Sequence, residues 1–284
     1  MKIQLITDST CDLDPSLLEK RGILFAPLTV HFGDGDYVDK LDLSHTEFYE
    51  KMRETPALPS TSQVNPDAFL TLFEKVTANE EGAVLGLFLS SELSGTYNSA
   101  VIARNMMTQE QAKRIVLIDS RTVSFALSLL VLRTQDMIDD GLPLSTIVEE
   151  MNHLIVKAHL YGMLNTLENL KKGGRLSAGT AMIGKMLNLK PIIEVTDGRV
   201  NMAAKVRGEK KGFQWMLEKL REDFPNGVIS DLAVAHANDE GRALAFKALI
   251  EEEFTLGRFI LLEIGSVVGT HTGEGAVGIG YLKD

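Results

Sequence analysis

The chain predicts an α/β protein of two domains. Residues 1–155 read as a three-layer domain built on a parallel sheet, and residues 156–284 as a mixed-sheet α/β domain. Three observations carry this. A beat of apolar strand, polar turn and helix recurs three times in the first half, the signature of a doubly wound parallel sheet. Residues 84–89 are continuously apolar, as a strand buried on both faces must be, and break into Ser90 and Ser91 before a helical pattern opens at Ser94-Gly95. In the second half the pair Asp197-Gly198 separates two apolar segments, a hairpin signal, and a hairpin among alternating units implies a mixed sheet.

Residues 3–7 form a short strand running into the polar cluster Asp8, Ser9, Thr10, Cys11 and Asp12. Asp14-Pro15 starts a helix to about Lys20, proline suiting the first helical position because its missing N–H is not needed there. Gly22 separates that helix from a second β segment over 25–32, with a turn at 33–36 and a return strand at Tyr37 and Val38. Ser44 caps a helix over 47–53, with Glu47 at the capping-box position. Residues 56–66 contain three prolines and no periodicity, and predict a loop. Asn65 then caps a helix whose first residue is Pro66. After the strand at 84–89 come a helix through Met107, a strand at 115–118 ending in Asp119-Ser120, and helices over 124–139 and 145–158.

The second half opens on a strand start at 160–162 and a helix over 167–172, terminated by Gly173-Gly174. A small helix over 177–187 precedes the hairpin of 191–195 and 200–206. Helices over 213–224 and 241–254 alternate with strands over 232–237 and 259–264. A glycine-rich bend, GSVVGTHTGEG, leads to the last strand, 276–282.

A chain of 284 residues is comfortable for two domains. The formal net charge of −10 argues against a non-specific nucleic-acid binder, whose affinity depends on neutralising phosphates. The single cysteine, Cys11, excludes an intrachain disulfide and fits a reducing compartment. The apolar start turns polar after five or six residues, too early for a secretory signal, and no stretch approaches 18 apolar residues. The expected location is cytoplasmic.

Several stretches carry chemistry. Thr61-Ser62-Gln63, bracketed by Pro59 and Pro66, places hydroxyls beside a helix start that favours an anion, although a plain capping loop has the same composition. Ser94 and Gly95 sit where a parallel strand gives way to a helix, the place where open α/β sheets hold ligands; Gly95 leaves room for close approach and Ser94 can cap or donate. His271 lies among four glycines in twelve residues, offering one imidazole from a permissive backbone. Arg175, in LKKGGRLS, can grip a carboxylate or phosphate with two N–H groups, whereas Lys171 and Lys172 are explained by a helix C-terminus. Lys205, Arg207, Lys210 and Lys211 add a second basic group, suited to an acidic or phosphorylated partner. His31, His45, His153, His159 and His236 show no metal-ligand spacing and read as structural or surface groups, His236 standing apart at a strand end. Asp8, Asp12 and Asp119 read as holding turns, since no phosphate-binding Gly-x-x-x-x-Gly-Lys loop accompanies them. Serine hydrolysis through Ser62 or Ser94 with His271 stays open, without the flanking glycines of a nucleophile elbow.

Together, DSTCD at 8–12, TSQVNP at 61–66, SSELSGTYNSA at 90–100, LKKGGRLS at 170–177, KP at 190–191 and GTHTGEGAVG at 269–278 resemble the DegV family. The resemblance implies a two-domain α/β fold holding a fatty acid in a deep apolar tunnel. It also implies, for some members, service as the fatty-acid-binding subunit of a bacterial fatty acid kinase. Such a subunit presents the acyl carboxylate to a separate ATP-dependent kinase, which makes acyl phosphate for phospholipid synthesis. By resemblance Thr61, Ser62, Ser94, Gly95 and His271 hold the carboxylate, and Arg175 lies near the head group or the partner-facing surface. No catalytic residue, metal or cofactor is implied on this chain, and lipid exchange would involve transient contact with a membrane surface. The chain departs from the family pattern at Val64-Asn65 and at Glu274, where a proline is usual; Glu274 puts a negative charge near a site meant for a carboxylate. The alternatives are a serine/histidine-dependent hydrolase or acyltransferase, and a phosphate or nucleotide binder with a wide polar cleft. A nucleophile needs its base within about 2.6–3.2 Å, whereas carboxylate ligands converge on a point outside them all.

Overall fold

The structure is a computed structural model that describes residues 2–79, 81–177 and 189–283. The first half contributes strands β1 (Lys2–Asp8), β2 (Leu24–Ala26), β3 (Thr29–Phe32), β4 (Gly35–Val38), β5 (Ser60–Ser62), β6 (Gly82–Phe88) and β7 (Ile115–Asp119). Four of them make an all-parallel sheet in the order β2-β1-β6-β7. Every residue of β6 is buried, which is why its sequence shows no alternation. The second half contributes β8 (Ala158–Met163), β9 (Lys190–Thr196), β10 (Arg199–Val206), β11 (Val228–His236), β12 (Thr255–Glu263) and β13 (Val277–Leu282). Their order is β10-β9-β8-β13-β11-β12, parallel only between β11 and β12, so this sheet is mixed as expected.

Local signals place several elements correctly. Ser44 and Glu47 form the reciprocal capping box of helix His45–Glu54, and Asn65 caps helix Pro66–Thr77. The β9–β10 turn has positive φ at both Asp197 (52°) and Gly198 (80°), the primed geometry that matches strand twist.

Three expectations need correction. The segment at 25–32 is two strands, not one. Pro27, which has no N–H for a ladder, falls between β2 in the parallel sheet and β3 at the centre of a separate sheet, β4-β3-β5. The loop at 56–66 contains β5, antiparallel to β3; three residues are too few to display a period. The glycine-rich bend contains a helix, Ser266–Thr272, with His271 on it. Its glycines at 265, 269 and 273 recur every four residues and so fall on one helical face. The small helix expected over 177–187 lies almost wholly outside the described residues.

The two sheets share one core. Helix Ser124–Asp139 packs on β1 and also on β8, β11 and β13. A single apolar cluster runs from Leu5 and Phe88 through Leu127 to Leu164, Leu262 and Ile264. A second cluster, including Phe213, Phe246 and Tyr281, fills the space between the mixed sheet and its outer helices. The helix carrying His271 is anchored to the first half. Asp12 accepts from the Gly265 amide at 2.9 Å, and Tyr49 donates to the Ile264 carbonyl at 2.9 Å. Asp8 and Asp119 likewise hold turns: Asp8 accepts from the amides of Thr10 (3.0 Å) and Leu89 (2.7 Å), and Asp119 from those of Ser91 (3.2 Å) and Arg121 (2.9 Å).

Gly269 seats this helix. A Cβ there would lie 2.6 Å from Tyr49 Oη and 2.9 Å from Phe48, both fully buried. Gly269→Ala is therefore expected to destabilise the protein by about 1–3 kcal/mol through overpacking. Urea denaturation of the two proteins measures this, and equal stability would mean that the helix shifts freely.

Candidate functional site

One cavity lies where the two sheets meet. It is bordered by β5, the turn after β6, the start of helix Ser124–Asp139, the strands β8, β9, β10 and β13, and helix Ser266–Thr272. Its volume, about 80 Å³ of space open to the centre of a water-sized sphere, has room for several waters at the ~10–15 Å³ each needs. Its walls are mostly apolar, with Leu89, Leu164, Ile193, Val200 and Ile264 among them. A small space with mostly apolar walls is not a wide polar cleft.

Four of the polar lining residues, Thr61, Ser94, Arg175 and His271, come from distant segments that touch one another. Thr61 Oγ1 lies 3.0 Å from His271 Nε2. The other ring nitrogen of His271 packs against Gly173, where a Cβ would come within 2.4 Å of Nδ1. Arg175 donates from Nη1 to the Gly173 carbonyl (2.7 Å) and from Nε to the Leu93 carbonyl (3.1 Å), one residue before Ser94. Thr61, Ser94, Arg175 and His271, all expected from the sequence, thus border one space. His271 Nδ1 is buried with no hydrogen-bond partner among the described residues.

Two expected residues are placed differently. Ser62 borders the cavity, but its hydroxyl meets His31 Nε2 at 2.5 Å, not His271. Gly95 is the N-cap of helix Thr96–Met106 and is not among the lining residues. What approaches its bare Cα is Gln63, whose amide oxygen would lie 1.9 Å from a Cβ there. Gln63 in turn donates to Ser99 Oγ at 2.9 Å. Gln63 and Thr10 also line the cavity; the sequence marks the stretches that hold them but gives neither a role at the site. The sequence marked Gly95 as a place of close approach, but the group that approaches it is Gln63.

Glu274 is not among the residues that line the cavity. Its carboxylate accepts from Arg53 Nη1 (2.5 Å) and Asn238 Nδ2 (2.6 Å), so the departure from proline does not load the site with an unpaired charge. His236 ends β11 beside a separate polar recess with Asn238, Glu240 and Glu263; burial holds its pKa below the usual histidine range. Among the described residues no three His, Cys, Asp or Glu side chains are placed to hold a metal, and no helix is long and apolar enough to cross a membrane.

Burial, with a smaller push from the Arg175 charge, lowers the His271 pKa from 6.5 to about 4. The imidazole is therefore neutral at pH 7. A histidine in the unfolded chain takes up its proton near 6.5, so the fold loses stability from this group as pH falls from 6.5 towards 4, by roughly 3 kcal/mol. Asp8 and Asp12, raised by burial to about 6, act oppositely over the same range. Their ionised forms are disfavoured in the fold, so they add stability as pH falls. The His271 contribution is isolated by comparing wild type with His271→Gln at pH 7 and pH 4.5: the variant should gain relative to wild type at the lower pH. An NMR titration showing the ring protonated at pH 6 would contradict this.

The site can hold one amphiphile. Its tail would lie against the apolar walls, and its head would meet a hydroxyl, a neutral imidazole and one guanidinium. Ser94 is hydrogen-bonded to Thr96 Oγ1 at 3.0 Å, so neither serine has His271 as a base.

Comparison with known proteins identifies the family. The family model described as "Uncharacterised protein, DegV family" matches residues 2–284. A DegV domain-containing protein of Caldanaerobacter subterraneus is 33% identical over 98% of both chains. Among solved structures, a DegV family protein from Thermus thermophilus, described for its fatty acid binding, superposes with a TM-score of 0.90 at 32% identity, covering 99% of this chain and 100% of that one. DegV of Bacillus subtilis, described as a fatty acid binding protein, gives 0.89 at 31% identity over all of both chains. With its parallel and mixed sheets, its shared cavity and this match along its length, the chain belongs to the DegV family.

Proposed function

We propose that this protein binds one long-chain fatty acid and presents its carboxylate to a separate ATP-dependent kinase subunit for acyl-phosphate formation. The observation that carries the binding step is the convergence of Thr61, Ser94, Arg175 and His271 on one apolar cavity. Burying an ionised carboxylate costs several kcal/mol unless it is paired or fully hydrogen-bonded, and these groups supply both kinds of contact. Each methylene removed from water contributes roughly 0.8 kcal/mol, so the tail supplies most of the affinity. In this reading Thr61, Ser94 and His271 hold the carboxylate and Arg175 offsets its charge. Ser62 and Gly95 support the loops that carry them.

The chain itself performs no chemical step in this scheme. The presenting role rests on the family resemblance and on the exposed basic residues Lys171, Lys172, Lys205, Arg207, Lys210 and Lys211, which suit a partner's acidic surface. The same reading divides the chain into domains near residue 155, and has the acyl chain enter through transient contact with a membrane surface.

Native mass spectrometry of the purified protein, followed by lipid extraction, tests the binding step. A copurified fatty acid near one-to-one stoichiometry is the expected result. Failure of the delipidated protein to take up any fatty acid would overturn the reading. Incubating the loaded protein with a fatty acid kinase subunit and ATP tests presentation, with acyl phosphate as the expected product.

A further inference from the structure

The outer face of the three-stranded sheet β4-β3-β5 carries a hydrogen-bonded chain that the fatty-acid reading does not use. His31, on the central strand β3, meets Asp36 of β4 through Nδ1 at 2.6 Å and Ser62 of β5 through Nε2 at 2.5 Å. One side chain therefore ties all three strands together.

The strand it reaches needs such a tie. β5 is an edge strand of three residues, preceded by Pro56 and Pro59, and a backbone ladder that short is weak by itself. Alternation along a strand sends neighbouring side chains to opposite faces. Ser62 accordingly turns out to His31, while Thr61 turns in and meets His271 Nε2 at 3.0 Å. The direction of Thr61 is fixed by whatever fixes the strand.

We infer that His31, oriented by Asp36, is a positioning residue: it clamps Ser62 and thereby aims Thr61 at the head-group end of the cavity. The inference rests on the fatty-acid reading above. The Asp36 carboxylate accepts the Nδ1 proton, which leaves Nε2 to accept from the Ser62 hydroxyl. The ring thus acts as a spacer of fixed length. A serine bonded to a histidine that is itself bonded to an aspartate also resembles a hydrolytic triad. However, Asp36 is 73% exposed and Ser62 is exposed too, whereas a triad's carboxylate and nucleophile work in a water-excluded site.

The test is a double-mutant cycle on fatty-acid affinity in the full-length, delipidated protein. Palmitate and hexadecanol serve as probes, and thermal melting of every variant is measured alongside. Thr61→Val should weaken palmitate by about tenfold, and His31→Ala by a similar factor, with hexadecanol much less affected. The double variant should be no weaker than Thr61→Val alone, because His31 acts through Thr61. His31→Gln, which retains an acceptor, should recover part of the loss. If Thr61→Val weakens palmitate while His31→Ala does not, or if the two losses add in full, the positioning role is wrong and the binding reading stands. If Thr61→Val itself has no effect, the head-group reading has failed first. Covalent labelling of Ser62 by a fluorophosphonate, lost in His31→Ala, would also overturn the inference by making Ser62 a nucleophile.

Discussion

Arg175→Ala is expected to weaken long-chain fatty-acid binding by about 10- to 100-fold, the range of 1.5–3 kcal/mol that a hydrogen bond to a charged group contributes. Arg175 is the only lysine or arginine among the described residues bordering the cavity. His271, neutral at pH 7, supplies no formal charge to replace it. The side chain is held by the carbonyls of Gly173 and Leu93, so its cation is set in place before a ligand arrives. Lysine cannot reproduce that planar, two-point attachment, and Arg175→Lys should recover little. The specific signature is selectivity. Wild type should prefer palmitate to hexadecanol, and Arg175→Ala should nearly abolish the preference. Displacement of a fluorescent fatty acid by each competitor measures both quantities. An unchanged preference would remove Arg175 from the head-group site.

That prediction is drawn from a residue the sequence marks plainly, and other parts of the site were legible to different degrees. Arg175 follows a Gly-Gly pair that ends a helix, and three basic residues in an acidic chain stand out in any reading. Ser94 was legible because β6 is apolar along its full length and stops abruptly at serines. The fold class followed from the same rhythm of strand, turn and helix. What the sequence hid depends on contacts between distant segments. His31 reads as one scattered histidine, and only the pairing of β3 with both β4 and β5 puts Asp36 and Ser62 on either side of it. Glu274 reads as a charge in the wrong place until Arg53, more than two hundred residues away, is found against it. The glycines around His271 suggested a loop because helix propensity disfavours glycine; tertiary packing against Tyr49 and Phe48 makes Gly269 a requirement of the helix.

Ile193→Trp is expected to have the largest effect on the tail. Ile193 lies on β9, is 4% exposed and lines the cavity, with Gly162 of the neighbouring strand lining it as well. A bulky ring on this wall takes space from the acyl chain. If it excludes four or five methylenes at roughly 0.8 kcal/mol each, long-chain affinity falls by about two to three orders of magnitude. A short acid such as octanoate, which does not reach the blocked stretch, should lose far less, so the variant changes chain-length preference as well as affinity. Overpacking carries its own penalty of about 1–3 kcal/mol, which lowers the melting temperature but leaves the fold intact. Affinities for a series of saturated acids, measured on variant and wild type at matched folded fraction, separate these effects. If palmitate binds the folded variant as tightly as wild type, the acyl chain does not occupy this cavity.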